Sequence, residues 1–287
     1  MKYSFILLSA FALVMFTNKI NAQEANNTFK FVTDNFEITT LSEVQQNGNS
    51  SILIDVNPEI LKKYAPEGTF KNAVNAFLLK TNNKNILIDA GFGRNLFNNL
   101  KSENITAEQV DIILLTHMHG DHIGGLIKDG IIAFPNAELY VAQAEYDYWM
   151  NNANGEQARN ILNIYKDKLR LFVPTEFEDS KTELLPNIQA IAAFGHTPGH
   201  TIFLLKSPNF QFLIWGDLTH AMAIQMPHPE IAVTYDVNPE QAVISRKKVL
   251  DYVVKNKITV AGMHIAYPSI GNVNEDGNGY IFLSAEN

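Results

Sequence analysis

Residues 116–122 read Thr-His-Met-His-Gly-Asp-His and follow the apolar run Asp111-Ile-Ile-Leu-Leu. An apolar run of that length reads as a buried strand, so the cluster sits at a strand end and in the turn after it. Four candidate metal ligands, His117, His119, Asp121 and His122, fall within six residues of a chain that has eight histidines in all. Imidazole and carboxylate are what zinc and similar ions take when no thiol is offered. In extended backbone His117 and His119 point to the same side and can grip one ion. Asp121 and His122 lie past the turn and can face a second.

The other totals narrow the alternatives. The chain has 287 residues, 46% of them hydrophobic and 18% charged, which suits one large globular domain or two small ones with an ample core. Its net charge is −8 and no basic block stands out, so no nucleic-acid partner is expected. There is no cysteine, which excludes disulfides, thiolate ligands, iron–sulfur clusters and a cysteine nucleophile.

Residues 1–22 read as a signal peptide. Lys2 supplies the positive start, Phe5 to Phe16 the short apolar core, and Ile20-Asn21-Ala22 the cut before Gln23. A retained anchor is the alternative reading. After cleavage no stable membrane insertion is expected, and the location is periplasmic or secreted. Residues 23–287 read as a single domain. A homodimer is an open possibility, with the apolar segment Phe29 to Phe36 as its candidate surface.

Strands are expected at Phe36 to Leu41, Ser51 to Val56, Val74 to Lys80, Asn85 to Asp89, Glu138 to Ala142, Ile188 to Ala193, Thr201 to Lys206, Gln211 to Trp215 and Lys257 to Gly262. Helices are expected at Leu96 to Lys101, Ile105 to Val110, Ala144 to Met150 and Glu156 to Leu169. The clearest is Pro239 to Asn256, with Asn238 as cap and Pro239 at its first position. This order suggests an α/β sandwich rather than a strictly alternating parallel sheet.

Three further segments end a short apolar strand in a ligand type: Phe194-Gly-His-Thr-Pro-Gly-His200, Phe212-Leu-Ile-Trp-Gly-Asp217 and Ile258-Thr-Val-Ala-Gly-Met-His264. Ligands gather at strand ends along one sheet edge in α/β proteins. Together with the first cluster these segments resemble the dinuclear signature of the metallo-β-lactamase superfamily, from about Asp89 onward. The resemblance implies a four-layer αβ/βα sandwich. It also implies His117, His119 and His200 on one metal, Asp121, His122 and His264 on the other, and Asp217 bridging. Two divalent ions, most simply Zn2+, would be the cofactor. Ions about 3.5–4 Å apart share a water and lower its pKa toward neutrality, so that hydroxide can attack a carbonyl or phosphoryl centre.

Within the superfamily, the cysteine-ligand β-lactamases are excluded, and other true β-lactamases generally lack the bridging aspartate. Glyoxalase II enzymes carry a C-terminal helical domain, for which the 23 residues after His264 leave no room. RNA-processing members carry an inserted domain and a more basic surface. The remaining likenesses are to N-acyl-homoserine-lactone lactonases, which quench quorum-sensing signals, and to organophosphatases of the methyl-parathion-hydrolase type. The latter is suggested by Ala133-Phe-Pro-Asn-Ala, Tyr148-Trp149 and Gly277-Asn-Gly-Tyr280. The lactone is the expected small-molecule substrate and a phosphotriester the alternative. A periplasmic metal-binding protein without turnover is the non-enzymatic alternative, against which Asp217 argues.

Many of the lactonases have a tyrosine three residues after the bridging aspartate, where this chain has His220. Asp121 and His220 are the residues expected to take part in catalysis, His220 by hydrogen bonding the substrate or acting as an acid. Phe92, Tyr148, Trp149, Met150, Ile224 and Met226 are the expected acyl-pocket residues, with Tyr146 and Gln225 beside them; ordinary core is the alternative for each. Asp89 is expected to orient a ligand histidine. His196 is expected to support its turn without binding metal, and His228 to lie on the loop surface.

Overall fold

The computed structural model describes residues 28–33, 35–177 and 182–285. The expected signal peptide lies outside the described residues. In chain order the elements are β1 (Thr28–Val32), β2 (Glu37–Asn49), α1 (Pro58–Tyr64), β3 (Thr69–Thr81), β4 (Lys84–Ile88), α2 (Leu96–Ser102), β5 (Ile112–Leu114) and α3 (Gly120–Ile123). A small ribbon, β6 (Ile127–Lys128) and β7 (Ile131–Ile132), precedes β8 (Glu138–Ala142), α4 (Gln143–Asn151), α5 (Glu156–Ile164) and β9 (Leu169–Phe172). The second half holds β10 (Ile188–Ala192), β11 (Thr201–Ser207), β12 (Phe210–Ile214), α6 (Met222–Gln225), α7 (Pro239–Asn256), β13 (Thr259–Ala261), β14 (Ile270–Asp276) and β15 (Gly279–Ser284).

The strands form a seven-stranded sheet, ordered β1-β2-β3-β4-β5-β8-β9, and a six-stranded sheet running from β10 to β15 in sequence order. The strand period of two decides how they pack. Phe77 and Leu79 of β3, Ile86 and Ile88 of β4, and Phe203, Leu205, Phe212 and Ile214 of the second sheet meet in the core between the sheets. Their neighbours point the other way. Leu78, Leu87 and Ile113 pack under α2, α4 and α5. Leu204, Leu213 and Val260 pack under α7 through Val249, Leu250 and Val253. Both faces of each sheet are therefore buried, giving the four-layer αβ/βα sandwich. A fourth apolar cluster joins the tip of the β2–β3 hairpin to the α6 region through Leu53, Phe70, Ile224 and Val233.

Four expectations need correction. Ser51 to Val56 is not a strand: Ser50–Ile52 is a 3-10 turn whose first amide is capped by the Asn49 side chain, and Asn57 then starts α1. The helix from Glu156 ends at Ile164, because Leu169–Phe172 pairs in parallel with β8 as an edge strand. The β14–β15 hairpin was not anticipated, although Asp276-Gly-Asn-Gly279 carries the turn chemistry for it. Phe29 to Phe36 is not a free apolar face either. Phe31 stacks on Phe210 at 5.5 Å, Phe29 packs on the same intersheet core, and Phe36 is buried. Among the described residues no helix is long and apolar enough to cross a membrane.

Candidate metal centre

Strand ends bring the site residues together. After β4 the chain turns through Asp89 in the left-handed region (φ 55°), which aims its carboxylate at the end of β5. Asp89 accepts from the Thr116 amide at 2.8 Å, the Thr116 hydroxyl at 2.7 Å and His122 Nδ1 at 2.6 Å. His117 and His119 then flank Met118, and α3 carries Asp121 and His122. Asp217 follows β12, and His264 follows β13.

Inside this ring the imidazole nitrogens converge. His117 Nε2 lies 3.0 Å from His119 Nδ1, and His196 Nε2 lies 3.1 Å and 2.9 Å from those two atoms. Three ring nitrogens mutually about 3 Å apart cannot all be paired by the protons between them, but their lone pairs can share one cation. On the other side of Asp217 stand Asp121, His122 and His264. Asp217 Oδ1 is 3.1 Å from His122 Nε2, and Oδ2 is 3.0 Å from His264 Nε2 and 3.2 Å from His196 Nε2. That carboxylate thus stands between two ligand groups.

The outer nitrogens fix the tautomers. His196 Nδ1 donates to Asp236 at 2.9 Å, His122 Nδ1 to Asp89, and His264 Nδ1 to the Ala73 carbonyl at 2.7 Å. Each ring therefore turns its Nε2 inward, as metal-binding histidines do. Without a cation, burial pushes these imidazoles down, but Asp217 and its neighbouring carboxylates raise His122, His264 and His196, the last to about 9, so a bound cation would displace the inward protons. His122 Nε2 and Asp217 Oδ1 are buried and make no hydrogen bond. Asp89, Asp121, Asp217 and Asp236 concentrate carboxylates here, with Arg246, 3.9 Å from Asp236, the only lysine or arginine paired with any of them among the described residues. Burial pushes the Asp217 carboxyl up, yet the surrounding imidazoles hold it well below the usual carboxylate range. Burial drives His119 down to about 3. Anionic carboxylates and neutral inward imidazoles are the donor set that divalent cations require, and the clusters fit two of them.

The GHTPGH segment reverses the expected roles. His200 is turned away from both ligand groups: its Nδ1 donates to the Ala193 carbonyl at 2.8 Å, and its Nε2 accepts the Asp217 amide at 3.0 Å. It braces the Asp217 backbone, while His196 stands with His117 and His119. The turn decides this. Gly195 has φ 127°, and a Cβ there would lie 2.1 Å from the Ala242 nitrogen, so the segment runs tight against α7 and swings His196 inward. Gly216, at φ 56°, makes the matching turn before Asp217; a Cβ there would lie 2.5 Å from His200 Nε2. Gly216→Ala should therefore cost about 1–3 kcal/mol of folding stability, read as a lower thermal midpoint and weaker metal retention. An unshifted midpoint would show that the turn has slack.

His220 lies with Asp217 and His264: its Nε2 is 3.1 Å from Asp217 Oδ2, its ring stacks on His264 at 4.9 Å, and its buried Nδ1 has no partner. Its backbone is pinned on both sides, the amide by Gln225 Oε1 at 2.7 Å and the carbonyl by Asn72 Nδ2 at 2.9 Å. Arg246, buried beneath, donates to the carbonyls of Leu218, Pro229 and Ile231 and holds the whole loop. His228 is partly exposed beside Glu230.

A cavity of about 360 Å³ opens directly on this centre. Of the six expected acyl-pocket residues, Phe92 lines it and the others do not. Tyr148 and Met150 pack on the first helical layer. Trp149 reaches His119, ring centroids 5.5 Å apart, but it is buried and donates to Glu145. Ile224 is enclosed by the hairpin tip and Met226 by the α7 layer, because α6 turns that segment inward. The far wall comes instead from Ile52, Phe70 and Val74 of the hairpin. Glu145, Asp236, Asn72, Gln225 and Arg246 were not anticipated as site supports. Each lies outside the ligand motifs, and only their burial marks them.

The sequence model of the metallo-beta-lactamase superfamily matches residues 70–262, well over half of the chain. The hydrolase AbOPH of the beta lactamase superfamily is similar in structure, with 29% identity, a TM-score of 0.79, and coverage of 90% of this chain and 97% of that one. AidC, a dizinc quorum-quenching lactonase in complex with a product, N-hexanoyl-L-homoserine, aligns with 25% identity, a TM-score of 0.80 and the same coverage. An N-acyl homoserine lactonase from Bacillus sp is 26% identical over 157 residues, 46% of this chain and 57% of that one. The matches span between 16% and 57% of the length of the curated relatives. A match across both sheets, joined to this donor set at their common edge, settles the family: the chain belongs to the metallo-beta-lactamase superfamily.

Proposed function

We propose that the site opens the lactone ring of N-acyl homoserine lactones, with two zinc ions as its cofactor. The observation that carries this reading is the cavity, which has the metal centre as its floor and Ile52, Phe70, Val74 and Phe92 as apolar walls. A lactone carbonyl can reach the centre while an acyl chain lies along the walls. The likeness to a dizinc lactonase over 90% of the chain supports the same substrate.

Bound divalent ions supply an activated water and a Lewis acid for the carbonyl. The chain does the rest. His117, His119 and His196 would hold one ion, and Asp121, His122 and His264 the other, with the Asp217 carboxylate available to both. Asp121, whose side chain is about a quarter exposed, is the more open of the two ligand carboxylates that line the cavity. His220 borders the same space; burial holds its imidazole down to about 4, so in this reading the neutral ring offers a hydrogen bond to the leaving oxygen. His220→Ala should lower kcat by about 10²-fold while two metals stay bound; an unchanged kcat would remove the assignment. The segment 1–22 gives the enzyme a periplasmic or secreted location in this proposal, where it meets diffusing acyl lactones.

The test is hydrolysis of N-hexanoyl homoserine lactone and of a phosphotriester by one metal-loaded sample, with His117→Ala as control. Ring opening lost in the control supports the proposal. A phosphotriester cleaved far faster than the lactone overturns it, and two inert substrates return the non-enzymatic reading.

A further inference from the structure

The wall of the cavity opposite the metals carries no charge. Outside the metal cluster its lining includes Gln46, Asn49, Ile52, Phe70, Phe92 and Tyr235, and no lysine, arginine, aspartate or glutamate completes it. This follows from how the hairpin is built. Along β3, Phe70 and Asn72 face the cavity, so the strand period turns the lysine between them, Lys71, to the other side. Gly48 lies opposite Phe70, and a Cβ there would come within 2.4 Å of its ring, so the aromatic lies flat across the strand and no longer side chain can replace it.

Beside Phe92, on the facing side, stands Arg94. Its guanidinium lies 4.7 Å from the Phe92 ring centre, and only Phe92 of the two borders the cavity. Glu43, which could have placed a negative charge nearby, is turned into the base of that loop, where it accepts from the Arg94 and Asn95 amides at 2.8 and 2.6 Å. A carboxylate at the end of a bound acyl chain, lying against Ile52, Phe70 and Phe92, would give up part of its water with no cationic side chain in the cavity lining to pair with it.

We infer that the cavity selects uncharged substrates: it takes a neutral acyl lactone or ester and rejects the same molecule with an anionic group at the end of its acyl arm. The inference rests on the proposed lactone opening at this site. Gln46 and Asn49, both exposed, border the cavity with neutral amides.

The probe pair is N-hexanoyl and N-adipoyl homoserine lactone, equal in length and differing by a terminal carboxylate. The parent enzyme should prefer the hexanoyl compound in kcat/KM by at least about thirtyfold. Gln46→Lys, which places an ammonium on the rim, should narrow that ratio by about tenfold, and Gln46→Met, of similar length without charge, should leave the ratio near the parent's. A parent ratio below about threefold, or a ratio unmoved by the lysine, overturns the inference while leaving lactone opening intact. A parent that opens neither lactone overturns both.

Discussion

Asp217→Asn is expected to leave a folded protein that no longer holds two metals and hydrolyses at least about 10³-fold more slowly. The carboxylate serves both ligand groups: Oδ1 faces His122, and Oδ2 faces His196, His220 and His264 within 3.2 Å. Removing its charge withdraws a ligand from each side and the anion that draws the cations together. Asparagine keeps the shape, and its amide hydrogens can meet the inward lone pairs of His264 and His196. The apo form should therefore melt within a few degrees of the parent in chelator, and only the metal-dependent rise in the midpoint should disappear. Metal analysis should show fewer than two ions per chain. Two tightly held ions in the asparagine variant would mean that Asp217 does not bridge.

The ligands on strand ends were legible because each closes an apolar run: β5, β12 and β13 all stop just before their donors. A buried strand announces itself by composition, and its first polar residues fall at the sheet edge. The GHTPGH segment was not legible in the same way. His196 and His200 stand four apart in one turn, and the sequence does not say which faces inward. That depends on Gly195 pressing against α7 and on Asp236, forty positions away, accepting from His196. The substrate wall was misplaced for a related reason. An aromatic run such as Tyr146 to Met150 is visible, but whether a ring meets solvent, core or cavity is fixed by what packs on it. Of the hairpin residues, Val74 reads as the start of a strand, and Phe70 and Asn72 before it carry no signal in the sequence. They become a cavity wall because the α6 region docks on the hairpin tip through Leu53, Ile224 and Val233.

Glu145→Ala should be the most damaging substitution outside the ligands. Glu145 opens α4, is 1% exposed, and reaches into the gap between the two ligand segments. Its Oε1 accepts from the Met118 amide at 2.9 Å and from Trp149 Nε1 at 2.5 Å. Its Oε2 accepts from the Thr197 hydroxyl at 2.7 Å and the Gly199 amide at 3.1 Å. Met118 lies between His117 and His119, and Thr197 and Gly199 follow His196, so one carboxylate ties together the three histidines of the first metal. Alanine leaves these donors buried without an acceptor, a loss of about 3–5 kcal/mol. At about 2–4 °C per kcal/mol for a chain of this class, the midpoint should fall by roughly 6–20 °C. Affinity at the His117, His119 and His196 site should weaken by about 10–100-fold. Glu145→Gln separates charge from hydrogen bonding. Its carbonyl can still serve Met118 and Trp149, and the Thr197 hydroxyl can rotate to accept from the new amide. The Gly199 amide then meets a donor and stays unpaired, so glutamine should fall between the parent and alanine in both readouts. An alanine variant that melts within about 2 °C of the parent and keeps its metal would show that the ligand segments hold their geometry without this brace.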